Sequence, residues 1–153
     1  MAVTDDDRFL CRALELACDN ALAGGRPYGA VVVRAGQLVA EAVNELHLRS
    51  DPSAHAEMLA LRAAAATLER LQLDDCTVYA SGQPCPMCLA ALHLASVRRV
   101  VFAYSNADGE PYGFTTAALY RQMALPLTEQ ALEIVQGDAS LWPDNPFALA
   151  SRG

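Results

Sequence analysis

The sequence predicts an α/β fold in which a mixed five-stranded sheet forms the middle of a three-layer α-β-α arrangement. Segments with the apolar period of a helix alternate with short apolar runs of strand length, in the order α-β-β-α-β-α-β-α-β. Turn sequences such as Gly24-Gly25 and Ala35-Gly36 separate these segments. Because 153 residues is a usual size for one domain, residues 1–153 are expected to form a single domain.

Local signals support the individual elements. Thr4 or Asp5 can cap the first helix, and Gly24-Gly25 ends it. Pro86 suits the first position of the third helix, because the N–H that proline lacks would have no partner there. Strands separated by a helix are expected to pair in parallel through right-handed crossovers. The predicted helices are 5–23, 54–68, 86–94 and 116–123, and the predicted strands are 30–33, 38–43, 77–80, 100–104 and 131–135.

Composition excludes several classes of protein. Apolar residues make up 53% and charged residues 19%, which excludes a disordered chain. No apolar run reaches the roughly 18 residues that a membrane span needs, and the first residues are acidic where a signal peptide is basic. We therefore expect a cytoplasmic protein with no membrane partner. The net charge of −7 disfavours contact with phosphate backbones, so no nucleic-acid partner is expected.

A pair of cysteines opens the third predicted helix, in the run Pro84-Cys85-Pro86-Met87-Cys88. Residues three apart in a first helical turn lie on one face, and the helix dipole lowers the pKa of thiols there, which favours thiolates. Such a pair is half of a zinc site. Taken alone, Cys-x-x-Cys fits a redox dithiol equally well.

A histidine and a glutamate open the second predicted helix, in Ala54-His55-Ala56-Glu57. Together with Cys85 and Cys88, His55 would leave one tetrahedral position open, which is typical of catalytic zinc. Glu57 is then a candidate base for water at that position, although a first-turn acid is also an ordinary helix feature. Residues two apart on an ideal helix point roughly 200° apart, so both can face one site only if His55 stands at the very start of the helix.

The combination of His-x-Glu with Pro-Cys-x-x-Cys resembles the zinc deaminases of the cytidine deaminase-like superfamily. Within that superfamily the chain is most similar to bacterial guanine deaminases and to tRNA adenosine deaminases. The resemblance covers roughly residues 9–104. It includes Pro27-Tyr28-Gly29-Ala30-Val31-Val32-Val33, Asn44, Asp51-Pro52-Ser53-Ala54-His55-Ala56-Glu57, Leu73-Asp74-Asp75-Cys76 and Pro84-Cys85-Pro86-Met87-Cys88-Leu89.

The resemblance implies a role for each matching residue. His55, Cys85 and Cys88 would bind Zn²⁺, and Glu57 would pass a proton from water to the leaving amine. Three further positions would contact the substrate: the side chain of Asn44 by a hydrogen bond to the base, the main chain of Ala56 and the ring of Tyr28. Deaminases of this fold usually form dimers or larger assemblies, so a homodimer is expected.

Two positions depart from the pattern of the relatives. Gln83 stands where relatives commonly have glutamate before Pro-Cys, which keeps the shape and removes a charge. Thr116 stands at about the place where similar guanine deaminases have an acidic residue that protonates the substrate. Threonine cannot supply that proton, so the reaction class follows from the resemblance more directly than guanine does.

These observations lead to one main functional prediction and two alternatives. The main one is a hydrolase of C–N bonds in cyclic amidines, a zinc-dependent deaminase that releases ammonia from a free nucleobase or related amino-heterocycle. Guanine is the first candidate, which places the enzyme in purine metabolism. The second is a tRNA-specific adenosine deaminase, which the acidic charge disfavours. The third is a non-catalytic zinc-binding or redox module, which would have no need of Glu57.

Overall fold

The computed structural model describes residues 2–152, and it divides into a unit that ends at Arg121 and a unit that begins at Gln122. The assignment of the whole chain to a single domain stays a prediction. No helix within residues 2–152 combines the length and apolar character needed to cross a membrane. The helices are α1 Asp5–Leu22, α2 Leu46–Arg49, α3 Ala56–Leu68, α4 Pro86–Leu94, α5 Asn106–Gly109, α6 Ala117–Met123 and α7 Pro146–Ala150, and the strands are β1 Gly29–Arg34, β2 Gln37–Val43, β3 Cys76–Gly82 and β4 Arg99–Tyr104.

The four strands form one mixed sheet in the order β2-β1-β3-β4. β1 pairs antiparallel with β2 and with β3, whereas β3 and β4 are parallel. The α/β class and the mixed sheet are thus confirmed. The expected parallel pairing holds for β3 and β4, which flank α4. It does not extend to β2 and β3 on either side of α3, because β1 lies between them.

Alternate residues of β1 point into two apolar layers, one on each face of the sheet. Val31 and Val33 pack with Phe9 of α1, while Ala30 and Val32 pack in a cluster that includes Ala60 of α3. The two-residue period of a strand produces this division, and it explains why β1 is buried along nearly its whole length.

The prediction of a fifth strand at residues 131–135 is wrong. Within the described residues the sheet has four strands, and 131–135 lie in the second unit without strand structure. Leu132 and Val135 are 70% and 75% exposed. A short apolar run becomes a strand only when neighbouring strands take up its hydrogen bonds and cover its side chains, and this segment has neither.

A close contact between α1 and the sheet depends on the absence of a side chain at Gly29. A Cβ atom there would lie 2.5 Å from the carbonyl oxygen of Ala13 and 2.8 Å from Cβ of Leu16. We expect Gly29→Ala to lower the free energy of unfolding by about 1–3 kcal/mol, because the helix must move away from the strand. Urea denaturation measures this loss. Gly137→Ala is the control, since a Cβ there meets nothing within 4 Å; equal losses for the two variants would contradict the prediction.

Candidate metal centre and cavity

Two helix starts bring the predicted metal ligands together. His55 is the N-cap of α3 (φ −75°, ψ 152°), and Cys85 is the N-cap of α4 (φ −71°, ψ 166°). Both have extended backbone, and their carbonyl oxygens accept the first helical hydrogen bonds, from Leu59 and Leu89. Cys88 follows in the first turn of α4, which begins at Pro86 as predicted.

The three potential ligand atoms have the spacing of a tetrahedral zinc site. His55 Nδ1 lies 3.5 Å from Cys85 Sγ and 3.6 Å from Cys88 Sγ, and the two sulfurs are 3.6 Å apart. Tetrahedral bonds of about 2.3 Å to sulfur and about 2.0 Å to nitrogen place two sulfurs about 3.8 Å apart and sulfur about 3.5 Å from nitrogen. The donor set of one imidazole and two thiols therefore fits zinc in both chemistry and dimensions.

The thiols of the cluster are electrostatically unequal. The two sulfurs hydrogen-bond to each other, and this bond lowers the pKa of Cys85 and raises the pKa of Cys88. The hydrogen bond with Cys85 also raises the pKa of His55, because it favours the charged imidazole. The cluster thus favours a thiolate at Cys85, which is the form that binds a metal.

Glu57 meets the geometric condition for sharing a site with His55. Because His55 caps α3 rather than belonging to it, the ideal-helix angle between residues two apart does not separate their side chains. Glu57 is 5% exposed, and burial raises the pKa of its carboxyl group above the ordinary value. Both His55 and Glu57 line the same cavity. A carboxyl group with a raised pKa is suited to taking up and releasing protons near neutral pH.

The cavity has a volume of about 590 Å³ and is lined by residues of the first unit. Such a volume lies within the range of small-molecule sites. One wall is a face of α1, where apolar side chains recur at helical spacing. These side chains include Leu14, Ala17 and Ala21, and Cys18 lies among them.

The three predicted substrate-binding residues occupy different positions around this cavity. Asn44 is 2% exposed and lines it; its Oδ1 accepts the N–H of Leu46 at 3.1 Å. Tyr28 is half-buried in the lining and meets Phe114 edge-to-face, with ring centroids 6.2 Å apart. Ala56 is fully buried at the first position of α3, and its side chain is not part of the lining.

A polar part of the lining was not assigned a role from the sequence. Gln83, Asn106 and Thr116 are joined by hydrogen bonds and all line the cavity. Asn106 follows the carboxyl end of β4, next to the end of β3, where α/β sheets place their ligand sites. This placement rule is the one feature of the sequence that could have identified Asn106 as a site residue. Thr116 stands where an acid was expected, and its side chain is bonded to Asn106.

Comparison with protein families places most of the chain in a known group. The family model of the cytidine and deoxycytidylate deaminase zinc-binding region matches residues 3–104. This range contains the sheet, both helix starts and the cluster of His55, Cys85 and Cys88.

Individual relatives agree with the family match. The chain is 40% identical to guanine deaminase of Bacillus subtilis over 131 residues, which are 85% of this chain and 84% of the relative. A crystal structure of guanine deaminase from Bacillus subtilis superposes with a TM-score of 0.88 at 37% identity and covers 96% and 94% of the two chains. The tRNA-specific adenosine deaminase of Bacillus subtilis is 35% identical over 70% of this chain and 66% of its own length.

Proposed function

The chain belongs to the cytidine and deoxycytidylate deaminase family and is a hydrolytic deaminase of C–N bonds, and from this premise we propose that its substrate is a free nucleobase, with guanine as the first candidate. The similarity to guanine deaminases over most of both chains supports this choice. The observation that carries it is that His55 and Cys85, which cluster with Cys88, line one cavity together with the buried Glu57.

His55, Cys85 and Cys88 would hold Zn²⁺. Bound there, zinc acts as a Lewis acid that makes water a stronger nucleophile. The Glu57 carboxylate takes a proton from the attacking water and delivers it to the amine nitrogen, so that the C–N bond breaks, a C–O bond replaces it and ammonia leaves. Asn44 orients the heterocycle by hydrogen bonding, Tyr28 bounds one side of the pocket, and the main chain of Ala56 contacts the ring.

Ammonia release over a panel of heterocycles tests this proposal. The panel contains guanine, cytosine, adenine and amino-triazines, incubated with the zinc-loaded protein. We expect turnover of guanine above the others, because the chain is 40% identical to a guanine deaminase over 85% of its length. Absence of ammonia from every compound would contradict the proposed function, and turnover of a different member would replace guanine.

The alternative substrate is an adenosine in tRNA. The similarity to the tRNA-specific adenosine deaminase of Bacillus subtilis favours it, whereas the net charge of −7 opposes the neutralisation of phosphates that tRNA binding requires. We expect no shift of tRNA in a native gel at moderate salt. Tight and salt-sensitive binding would reverse the ranking of the two substrates.

We also propose that the protein works as a homodimer in a reducing compartment such as the cytoplasm. Leu94, at the end of α4, is 81% exposed and is available for a contact between copies, whereas Leu92 on the same helix is buried. Light scattering on fractions from size-exclusion chromatography measures the mass of the assembly.

The free thiols of the cysteines support the proposed compartment. All five cysteines carry free thiols, as cysteines do in reducing compartments.

A further inference from the structure

Gln83 and Asn106 form a carboxamide wall whose oxygen atoms are held by protein groups. Gln83 Oε1 accepts the backbone N–H of Asn106 at 3.0 Å. Asn106 Oδ1 accepts the backbone N–H of Thr116 at 3.1 Å and the Thr116 hydroxyl at 3.3 Å, which occupies both of its lone pairs. A backbone N–H can only donate, so these bonds fix the orientation of both carboxamides.

The NH₂ groups of the carboxamide wall are therefore the groups left for a ligand. Neither Gln83 Nε2 nor Asn106 Nδ2 donates to a group among residues 2–152, and both side chains line the cavity. Within residues 2–152 no polar side-chain atom is buried without a partner, so the two NH₂ groups are accessible rather than enclosed. The wall thus presents two NH₂ donors, and at Asn106 both lone pairs of the oxygen are already taken.

The neighbouring loop adds one carboxylate to the lining, that of Asp108, and one of its two oxygens is held by Ser105. Asp108 Oδ2 accepts the backbone N–H of Ser105 at 2.8 Å and the Ser105 hydroxyl at 2.9 Å. These bonds lower the pKa of Asp108 and hold its carboxylate in the capping box of α5, in which Ser105 is the N-cap. Thr116 contributes a neutral hydroxyl whose proton is directed to Asn106.

We propose that the carboxamide wall of Gln83 and Asn106 binds the edge of a purine that carries O6 and N7, and so selects a 6-oxopurine over a 6-aminopurine. This inference rests on the proposed function, because it takes the cavity as a nucleobase site. The O6/N7 edge of guanine offers two adjacent acceptors, whereas the corresponding edge of adenine offers one acceptor and one NH₂ donor. Two fixed donors match the first edge and oppose the second.

The hydrogen bonds that Asn106 Oδ1 already accepts distinguish the guanine edge from the adenine edge. A free asparagine or glutamine suits the adenine edge, since its NH₂ donates to N7 while its oxygen accepts from the 6-amino group. In this wall Asn106 Oδ1 already accepts two hydrogen bonds from Thr116. A 6-amino group would therefore meet the Asn106 NH₂ group, which is also a donor, and would have no acceptor. An unpaired polar group in a closed site costs about a tenfold loss of affinity or more.

Guanine and 2,6-diaminopurine test the inference, because they share the 2-amino group and N7 and differ in the group at C6 and in the proton that accompanies it at N1. Dissociation constants are measured by calorimetry on zinc-loaded protein in a Glu57→Gln background, where turnover does not consume the ligand. The wall is altered by Asn106→Asp and by Gln83→Glu, each of which keeps an oxygen for the existing bond and replaces NH₂ by an acceptor. Gln72→Glu is the matched control: Gln72 is exposed, accepts from Ser96 and lies outside the cavity lining.

We expect the unaltered wall to bind guanine at least about tenfold more tightly than 2,6-diaminopurine, and Asn106→Asp to shift that ratio by at least about tenfold toward 2,6-diaminopurine. Gln83→Glu shifts it in the same direction, and Gln72→Glu leaves it unchanged. A ratio that both wall variants leave intact, or failure of both purines to bind, overturns the inference. Ammonia release is measured separately with protein that keeps Glu57. Release from guanine without a change in the binding ratio contradicts the wall alone, whereas a changed ratio without ammonia release contradicts the proposed function alone.

Discussion

Replacing Glu57 by glutamine is expected to lower kcat for ammonia release by about 10²–10⁴-fold while zinc remains bound. Glutamine has nearly the same shape and fills the same buried position, but it cannot carry a proton between water and the amine. The effect is large because Glu57 is a buried carboxyl group of the cavity lining whose pKa is raised. Asp108 lines the same cavity, but its hydrogen bonds with Ser105 lower its pKa and keep it ionised. The neutral carboxamide wall offers no second acid in its place.

Steady-state kinetics and the zinc content of the same preparation check this prediction. Glu69→Gln is the matched control, since it makes the same change of charge at the exposed C-cap of the same helix. The control is expected to keep its activity. If Glu57→Gln retained more than a small fraction of wild-type kcat, Glu57 would not be the proton carrier. If it lost zinc, the loss of activity would have a different cause.

Removal of the metal is expected to abolish ammonia release and to lower the melting temperature, and added zinc is expected to restore both. The cluster of His55, Cys85 and Cys88 joins the starts of α3 and α4, so an ion bound there ties two helices together. A ligand present at about 1,000 times its Kd stabilises the folded state by about 4 kcal/mol. Calorimetric melting with and without a chelator measures the difference.

A pair of cysteine variants shows whether the effect belongs to the cluster. Cys88→Ala removes a ligand and is expected to reduce bound zinc and activity together. Cys76→Ala removes a thiol that is also buried but lies at the start of β3, so its zinc content is expected to match that of the wild type. Full activity in chelated protein, or equal zinc content in the two variants, would contradict the assignment of the metal site.

The features that the sequence alone determined are those with local causes. Pro86 begins α4 because a proline at the first helical position loses no backbone hydrogen bond. The three-residue spacing then places Cys88 near Cys85. His55 and Glu57 are candidates by residue type and spacing within one helix start, and their roles stay predictions. The bounds of the four predicted helices and of the first four strands agree closely with the apolar periods, since burial on one face imposes those periods directly. The short helices α2, α5 and α7 were not predicted.

Only the tertiary structure decided the features that depend on partners distant in the chain. Residues 131–135 have the composition of a strand, but composition does not specify a neighbouring strand. Within the described chain these residues pair with no strand. The 3.5 Å approach of His55 to Cys85 requires α3 and α4 to begin beside each other. The donor character of Gln83 and Asn106 likewise depends on which backbone N–H groups meet their oxygens, and those contacts exist only once β3, α5 and the loop before α6 have packed together.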